Sequence, residues 1–159
     1  MWENLTTVLE EYAVELRNLY QDNLIAEDKI ATGELLNNVD YVIEKDDRCI
    51  EVSLKLEDYY KYIEYGRQPG KFPPPDKIKE WIMVKPILPT PYRGKLPTPD
   101  QLAYLIGRKI ALEGIEPTPV LERSIQSVNT KFEERIMDAI DKDVNNMIDV
   151  IFSEYFVGE

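Results

Sequence analysis

Apolar residues recur at steps of three and four from Trp2 through Leu5, Val8, Leu9, Tyr12, Leu16, Leu19 and Tyr20, with Glu3, Glu10, Glu11, Glu15 and Arg17 outside the set. That spacing draws one apolar stripe and predicts an amphipathic helix over residues 2–20. Residues 21–38 are less regular, and Gly33 predicts a break before a short helical turn from Glu34 to Asn37, with Leu35 and Leu36 facing inward. The period then changes to two. Val39, Tyr41 and Ile43 alternate with Asp40 and Glu44, and Ile50, Val52, Leu54 and Leu56 alternate with Glu51, Ser53 and Lys55. With Asp46-Asp47-Arg48 between the two runs, the pattern predicts a β-hairpin over about 39–56 with one buried face.

The stretch Leu56–Ile82 predicts a rigid corner. An aromatic helix carrying Tyr59, Tyr60, Tyr62, Ile63 and Tyr65 stops at Gly66, a loop with Phe72 and Pro73-Pro74-Pro75 follows, and a second helix starts at Asp76 with Ile78, Trp81 and Ile82 inside. Pro86 ends that helix, because it has no N–H to give. Residues 86–99 hold a run of prolines and Gly94, which predicts an extended excursion with Tyr92, Arg93 and Lys95 at its tip. Three readings of that excursion stay open: a folded connection, an arm that docks on another copy, or a ligand for a polyproline-binding module.

Thr98, Pro99 and Gln101 spell a capping box with proline at the first helical position, so a helix starts there; Leu102, Leu105, Ile106 and Ile110 line its inner face, with Ala103 and Ala111 as further candidates, and Gly114 ends it. Gly107, in mid-helix, predicts a close approach by another backbone. Arg108 and Lys109 are expected in the last turns, complementing the helix dipole or presenting charge outward. Thr118-Pro119 repeats the cap-and-proline start. The final helix carries Leu121, Ile125, Val128, Phe132, Ile136, Ile140, Val144, Met147, Ile148, Ile151, Phe152 and Tyr155. A helix this long needs a partner, and the N-terminal helix is the candidate. The elements together predict a single α+β domain: a small antiparallel sheet against helices, with long N- and C-terminal helices.

The 159 residues carry a net charge of −11, which disfavours a general nucleic-acid binder. The charge is uneven: residues 1–66 are net −10, residues 67–121 net +4 and residues 122–159 net −5, and all 11 prolines fall in the middle segment. A basic middle between acidic ends favours head-to-tail association of copies, or is a solvated loop region. The absence of histidine and the single Cys49 exclude catalytic triads, Cys–His dyads, internal disulfides and cysteine or histidine zinc sites, so no metal or cofactor is expected. No apolar run reaches membrane-spanning length and no signal peptide is legible, which places the chain in the cytoplasm or in a particle assembled there. Asp46 and Asp47 are adjacent in a turn and point apart, the wrong arrangement for an acid–base pair. Asp40, Glu44, Glu51 and Glu64 fall on elements that could converge on a divalent cation, as in a metal-dependent nuclease.

The ordered blocks Thr32-Gly33-Glu34-Leu35, Tyr60-Lys61-Tyr62-Ile63-Glu64-Tyr65-Gly66, Pro73-Pro74-Pro75 with Ile78, Trp81 and Ile82, Ala103-Tyr104-Leu105-Ile106-Gly107-Arg108-Lys109-Ile110, and Gly114-Ile115-Glu116-Pro117-Thr118-Pro119 with Leu121 span about residues 31–125. In this order they resemble the tail-completion or neck family of tailed bacteriophages, whose members form rings between the capsid portal and the tail. The resemblance implies an α+β, oligomeric, non-enzymatic virion protein, assembled in the host cytoplasm. It implies rings of six or twelve copies, with portal, adaptor or tail-tube proteins as neighbours and DNA only as passing cargo. A regulatory or toxin–antitoxin-like binding module, supported by the acidic first helix, is the alternative.

Tyrosines at 59, 60, 62 and 65 cover too many helix faces for all to be buried, so at least one meets a neighbour. Tyr60, Tyr62, Tyr65, Arg67, Phe72, Tyr92, Arg93, Lys95, Arg108 and Lys109 are therefore the candidate interface residues. Trp81 is expected in the core, and Trp2 either in the core or at an interface.

Overall fold

The computed structural model describes residues 2–29, 33–46, 49–85, 87, 89, 91 and 94–156. They form α1 (Glu3–Ala26), α2 (Glu34–Asn37), β1 (Asp40–Lys45), β2 (Ile50–Lys55), α3 (Tyr60–Glu64), α4 (Pro75–Val84), α5 (Pro99–Glu113) and α6 (Val120–Phe156), an α+β arrangement with long terminal helices. The chain gathers into two compact units that interleave along the sequence, Met1–Asn23 with Val39–Lys55 and Leu121–Glu159, and Leu24–Asn38 with Leu56–Val120.

In the first unit α1 and α6 run antiparallel. Asn23 Nδ2 donates to Ser124 Oγ at 2.8 Å near one end, Tyr12 Oη donates to Asn129 Oδ1 at 2.6 Å in the middle, and Asp143 receives Asn4 and Leu5 at the other end. Leu16, Val128 and Phe132 make the core, with Val8, Tyr12, Leu19, Leu54, Ile125 and Ile136 packed around them. Tyr12 meets Phe132 edge-on at 5.6 Å, an arrangement favoured by the ring quadrupoles. The seam is edged by ion pairs of Lys131 with Glu15 and of Arg135 with Glu11.

The buried line of α1 is Ala13, Leu16, Tyr20 and Leu24, which differs from the predicted stripe at both ends. Leu24 keeps the step of four from Leu16 and Tyr20, so burial carries the helix through Gln21-Asp22-Asn23 to Ala26. Trp2 is half-buried.

The hairpin has the predicted phase. Tyr41 faces Leu54, Ile43 faces Val52 and Lys45 faces Ile50, while Asp40, Glu44, Glu51 and Lys55 fall on the alternate, exposed positions. Asp46 N–H donates to Cys49 O at 3.0 Å and Cys49 N–H to Asp46 Oδ1 at 2.7 Å, closing the strands. Asp47 and Arg48 lie outside the described residues.

In the second unit the aromatic helix is shorter than expected, only Tyr60–Glu64, and Gly66 follows it with φ +67°. Pro75 occupies the first position of α4, and Lys85 beyond its end is extended, as a residue before proline prefers. Pro86, and with it the predicted stop signal, lies outside the described residues. Trp81 is half-buried rather than in the core; Ile78 is the α4 residue that is buried. α5 carries the predicted capping box, with Gln101 N–H donating to Thr98 Oγ1 and Thr98 N–H to Gln101 Oε1. It packs on α4 through Ala103 and Gly107.

Gly107 admits a side chain and not a backbone: a Cβ there would stand 2.5 Å from the Phe72 ring and 3.1 Å from Ile78 Cδ1. No basic residue lies in the last turn of α5; Lys109 sits one turn earlier and pairs with Glu113 at 3.7 Å, which corrects the dipole role expected for it and for Arg108.

Candidate protein interface

The corner is stapled at its neck. Arg67 N–H donates to Ile115 O at 2.9 Å, and Ile115 N–H returns a bond to Arg67 O at 2.8 Å. Gly66 and Gly114 flank this two-bond bridge, with φ +67° and +79°. A Cβ on Gly66 would fall 2.3 Å from Ile115 O, and one on Gly114 would fall 2.2 Å from Arg67 O. Gly70 N–H to Ala111 O at 2.8 Å and Thr118 N–H to Ile63 O at 2.7 Å extend the staple on both sides. Two loops thus lie backbone to backbone, a closeness that only glycine permits at these positions.

Around this neck the predicted interface residues divide. Tyr62 and Tyr65 are exposed, at 55% and 71%, whereas Tyr60 is half-buried. Tyr59 is half-buried too, its hydroxyl donating to Lys29 O at 3.2 Å. Arg67 is half-buried, and its Nη2 donates to Lys71 O at 2.6 Å, bracing its own loop. Phe72 is half-buried, with its ring over Gly107 and stacked on Tyr104 at 5.8 Å. Lys95, Arg108 and Lys109 are exposed. Tyr92 and Arg93 lie outside the described residues.

Several cations of the basic middle are paired locally: Lys77 with Glu80, Lys79 with Asp100 at 2.5 Å, Lys85 with Asp28 at 2.7 Å and Lys109 with Glu113. Arg108 has no ion pair among the described residues and projects from the outer side of α5. Tyr104, Leu105 and Leu112 lie beside it, 59%, 52% and 66% exposed. Leu105, expected on the inner face of α5, is exposed instead, and Tyr104 and Leu112 were not among the predicted interface residues. Their spacing around Arg108 could have revealed them, because positions 101, 105, 108 and 112 follow the 4-3-4 rhythm of a second helix face opposite Ala103 and Gly107.

The far end of α6 is the other surface absent from the sequence reading. Asp143 is 2% exposed and marks where the helix parts from α1. Asn4 N–H at 3.1 Å, Asn4 Nδ2 at 2.8 Å and Leu5 N–H at 2.9 Å all donate to its carboxylate. Burial alone would push the Asp143 carboxyl up. Bonds from the Leu5 amide and from the Asn4 side chain and amide outweigh it, and hold the group below the usual carboxylate range. Its charge also sits at the positive end of α1.

α1 begins at Glu3, level with this contact, while α6 continues to Phe156. Val144, Ile148 and Ile151, predicted to face inward, are exposed instead, as is Phe152. The steps of four from Phe132 through Ile136, Ile140, Val144 and Ile148 each overshoot a full turn by about 40°, so the predicted stripe drifts off the buried line of Val128, Phe132, Ala139 and Asp143 and onto the side that Met137 occupies. Tyr155 belongs to the same predicted stripe, and its side chain is outside what the structure describes.

The carboxylates named as possible metal ligands do not assemble within their own unit. Glu44 faces Glu51 across the hairpin, Asp40 faces Lys55, and Glu64 is a buried residue of the second unit. Among the described residues no group of three or more His, Cys, Asp or Glu is arranged to hold a metal ion. Cys49 is exposed, and the neighbouring Asp46 charge pushes its thiol up, away from the reactive thiolate. No described helix is long and apolar enough to cross a membrane. Comparison with family models, with curated proteins and with solved structures finds no match to this chain.

Proposed function

We propose that this chain is a structural virion protein of a tailed bacteriophage, forming a ring at the head–tail junction or at the tail end. The ring joins the portal complex to the tail and surrounds the path of the DNA. One observation carries this reading. The blocks that resemble the neck family are far apart in sequence, yet Tyr60–Gly66 and Gly114–Pro119 meet at the Arg67–Ile115 bridge, so the resemblance follows a structural unit rather than scattered letters. Exposed Tyr62 and Tyr65 beside that neck, and the apolar side of α5, supply the kind of aromatic and aliphatic surface that subunit contacts use.

In this reading the ring contains six or twelve copies, contacts portal, adaptor or tail-tube proteins, and acts in the neck or tail after assembly in the host cytoplasm. Acidic surface lines its passage, where like charge keeps DNA phosphates from sticking. The test is electron microscopy and sedimentation of the purified chain. Closed rings with a central opening are expected, and a monomer or dimer at every concentration overturns the reading. A ring whose opening is lined by residues 67–109 overturns the acidic passage alone.

A further inference from the structure

We propose that the outer side of α6 around Asp141 and Val144 docks antiparallel on the outer face of α5 in a second copy of this chain. Met137 meets Leu112, Asp141 meets Arg108 and Val144 meets Leu105. The inference rests on the ring reading and names the surfaces that would close it.

Three observations carry it. The first is the rhythm of the two faces. On α6, Met137, Asp141, Val144 and Ile148 are all exposed and step by 4-3-4; on α5, Leu112, Arg108, Leu105 and Gln101 are all exposed and step back by 4-3-4. Matching three-and-four spacings let the side chains of one helix enter the gaps of the other.

The second is charge. Each face carries a single ionised residue at the same place in its rhythm, Asp141 on one and Arg108 on the other, and neither has an ion pair among the described residues. A single polar pair within an apolar strip fixes register. The third is the sign of the α6 end. Val144–Phe156 holds Asp149 and Glu154 and no cation, so two such ends repel each other. Antiparallel docking instead carries both acids toward the positive N-terminus of α5 and the exposed Lys95. Because the two faces differ, the contact is head-to-tail, the kind that closes into a ring when the rotation allows.

The experiment uses two full-length variants, Leu105→Asp to spoil the α5 face and Ile148→Asp to spoil the α6 face. Both positions are exposed, so each variant keeps its fold, checked by circular dichroism. In sedimentation each alone is expected to be a single protomer. Their equimolar mixture should give a dimer and stop there, because one intact face of each kind remains.

As an independent arm, Arg108→Asp should weaken self-association at least tenfold, and adding Asp141→Arg in the same chain should restore it. Wild-type-sized rings in either aspartate variant, a mixture that stays monomeric, or an unrescued double reversal would each overturn the docking. The first of these leaves the ring itself standing. A wild-type chain that is monomeric at all concentrations overturns the ring and the docking together.

Discussion

The carboxylate of Asp143 accepts the backbone N–H of Leu5 at 2.9 Å, so a residue 138 positions away caps the first turn of α1. The first N–H groups of a helix have no partner inside it, and a cap usually comes from the residue just before. Here it comes from the helix alongside. The bond therefore does two things, satisfying α1 and fixing how far α6 has slid along it. Asp143→Ala strands the Leu5 and Asn4 donors and removes the favourable charge. It should cost about 2 kcal/mol, from a lost cap and a lost charge–dipole interaction. Denaturant unfolding should show a lower midpoint with an unchanged slope.

The same group makes stability acid-sensitive. Asp143 is held below its ordinary range when folded, so on acidification the unfolded chain takes up its proton first. Its contribution is fully present above the unfolded value of about 3.9 and is lost as pH falls through the folded one. Thermal melts of wild type and Asp143→Asn should differ most near neutral pH and converge below about pH 4. A gap that persists unchanged well below about pH 4 would contradict the assignment.

Alanine at either neck glycine should be costly for two reasons. Gly66 and Gly114 have positive φ, and their new Cβ atoms would fall within 2.3 Å of a carbonyl oxygen of the facing loop. Left-handed strain and overpacking together predict a loss of about 2–4 kcal/mol for each. Gly94→Ala is the control, with φ +74° and nothing within 4 Å of the added carbon. It should show the conformational cost alone.

Gly107→Ala isolates a different effect, since its helical backbone is relaxed and alanine favours a helix by about 1 kcal/mol. The Phe72 ring at 2.5 Å turns that gain into a loss. Shortening the ring in Phe72→Leu should recover stability in the double variant relative to the sum of the singles. A double-mutant cycle reads this coupling directly.

How much of this could be seen in the letters depended on whether a residue acts locally. Thr98, Pro99, Gln101 and Gly114 bound α5 through short-range rules, and all of them do what their spacing predicts. The β-hairpin phase was equally legible, because alternation reports directly which face is covered. Ser124 and Asp143 were not, since a hydropathy pattern assigns polar residues to the surface, and only the facing helix supplies the donors that let them be buried. Val144, Ile148 and Ile151 failed in the opposite direction: successive steps of four precess around a helix of about 3.6 residues per turn, and carry the apolar run off the face that α1 covers. The bracing role of Arg67 was hidden too, because its partner, the Lys71 carbonyl, is defined by loop shape.

The Arg67–Ile115 bridge also says something about how the chain is put together. Everything from Gln68 to Gly114, including α4, α5 and the Phe72–Gly107 contact, leaves and returns through backbone positions that hydrogen-bond to each other. Such a segment has the form of a cassette, with adjacent ends and much of its packing inside itself. Its closure spans a long loop, whose entropic cost rises only slowly with length. The cassette can therefore lengthen or shorten at its excursion while the neck that holds it stays the same.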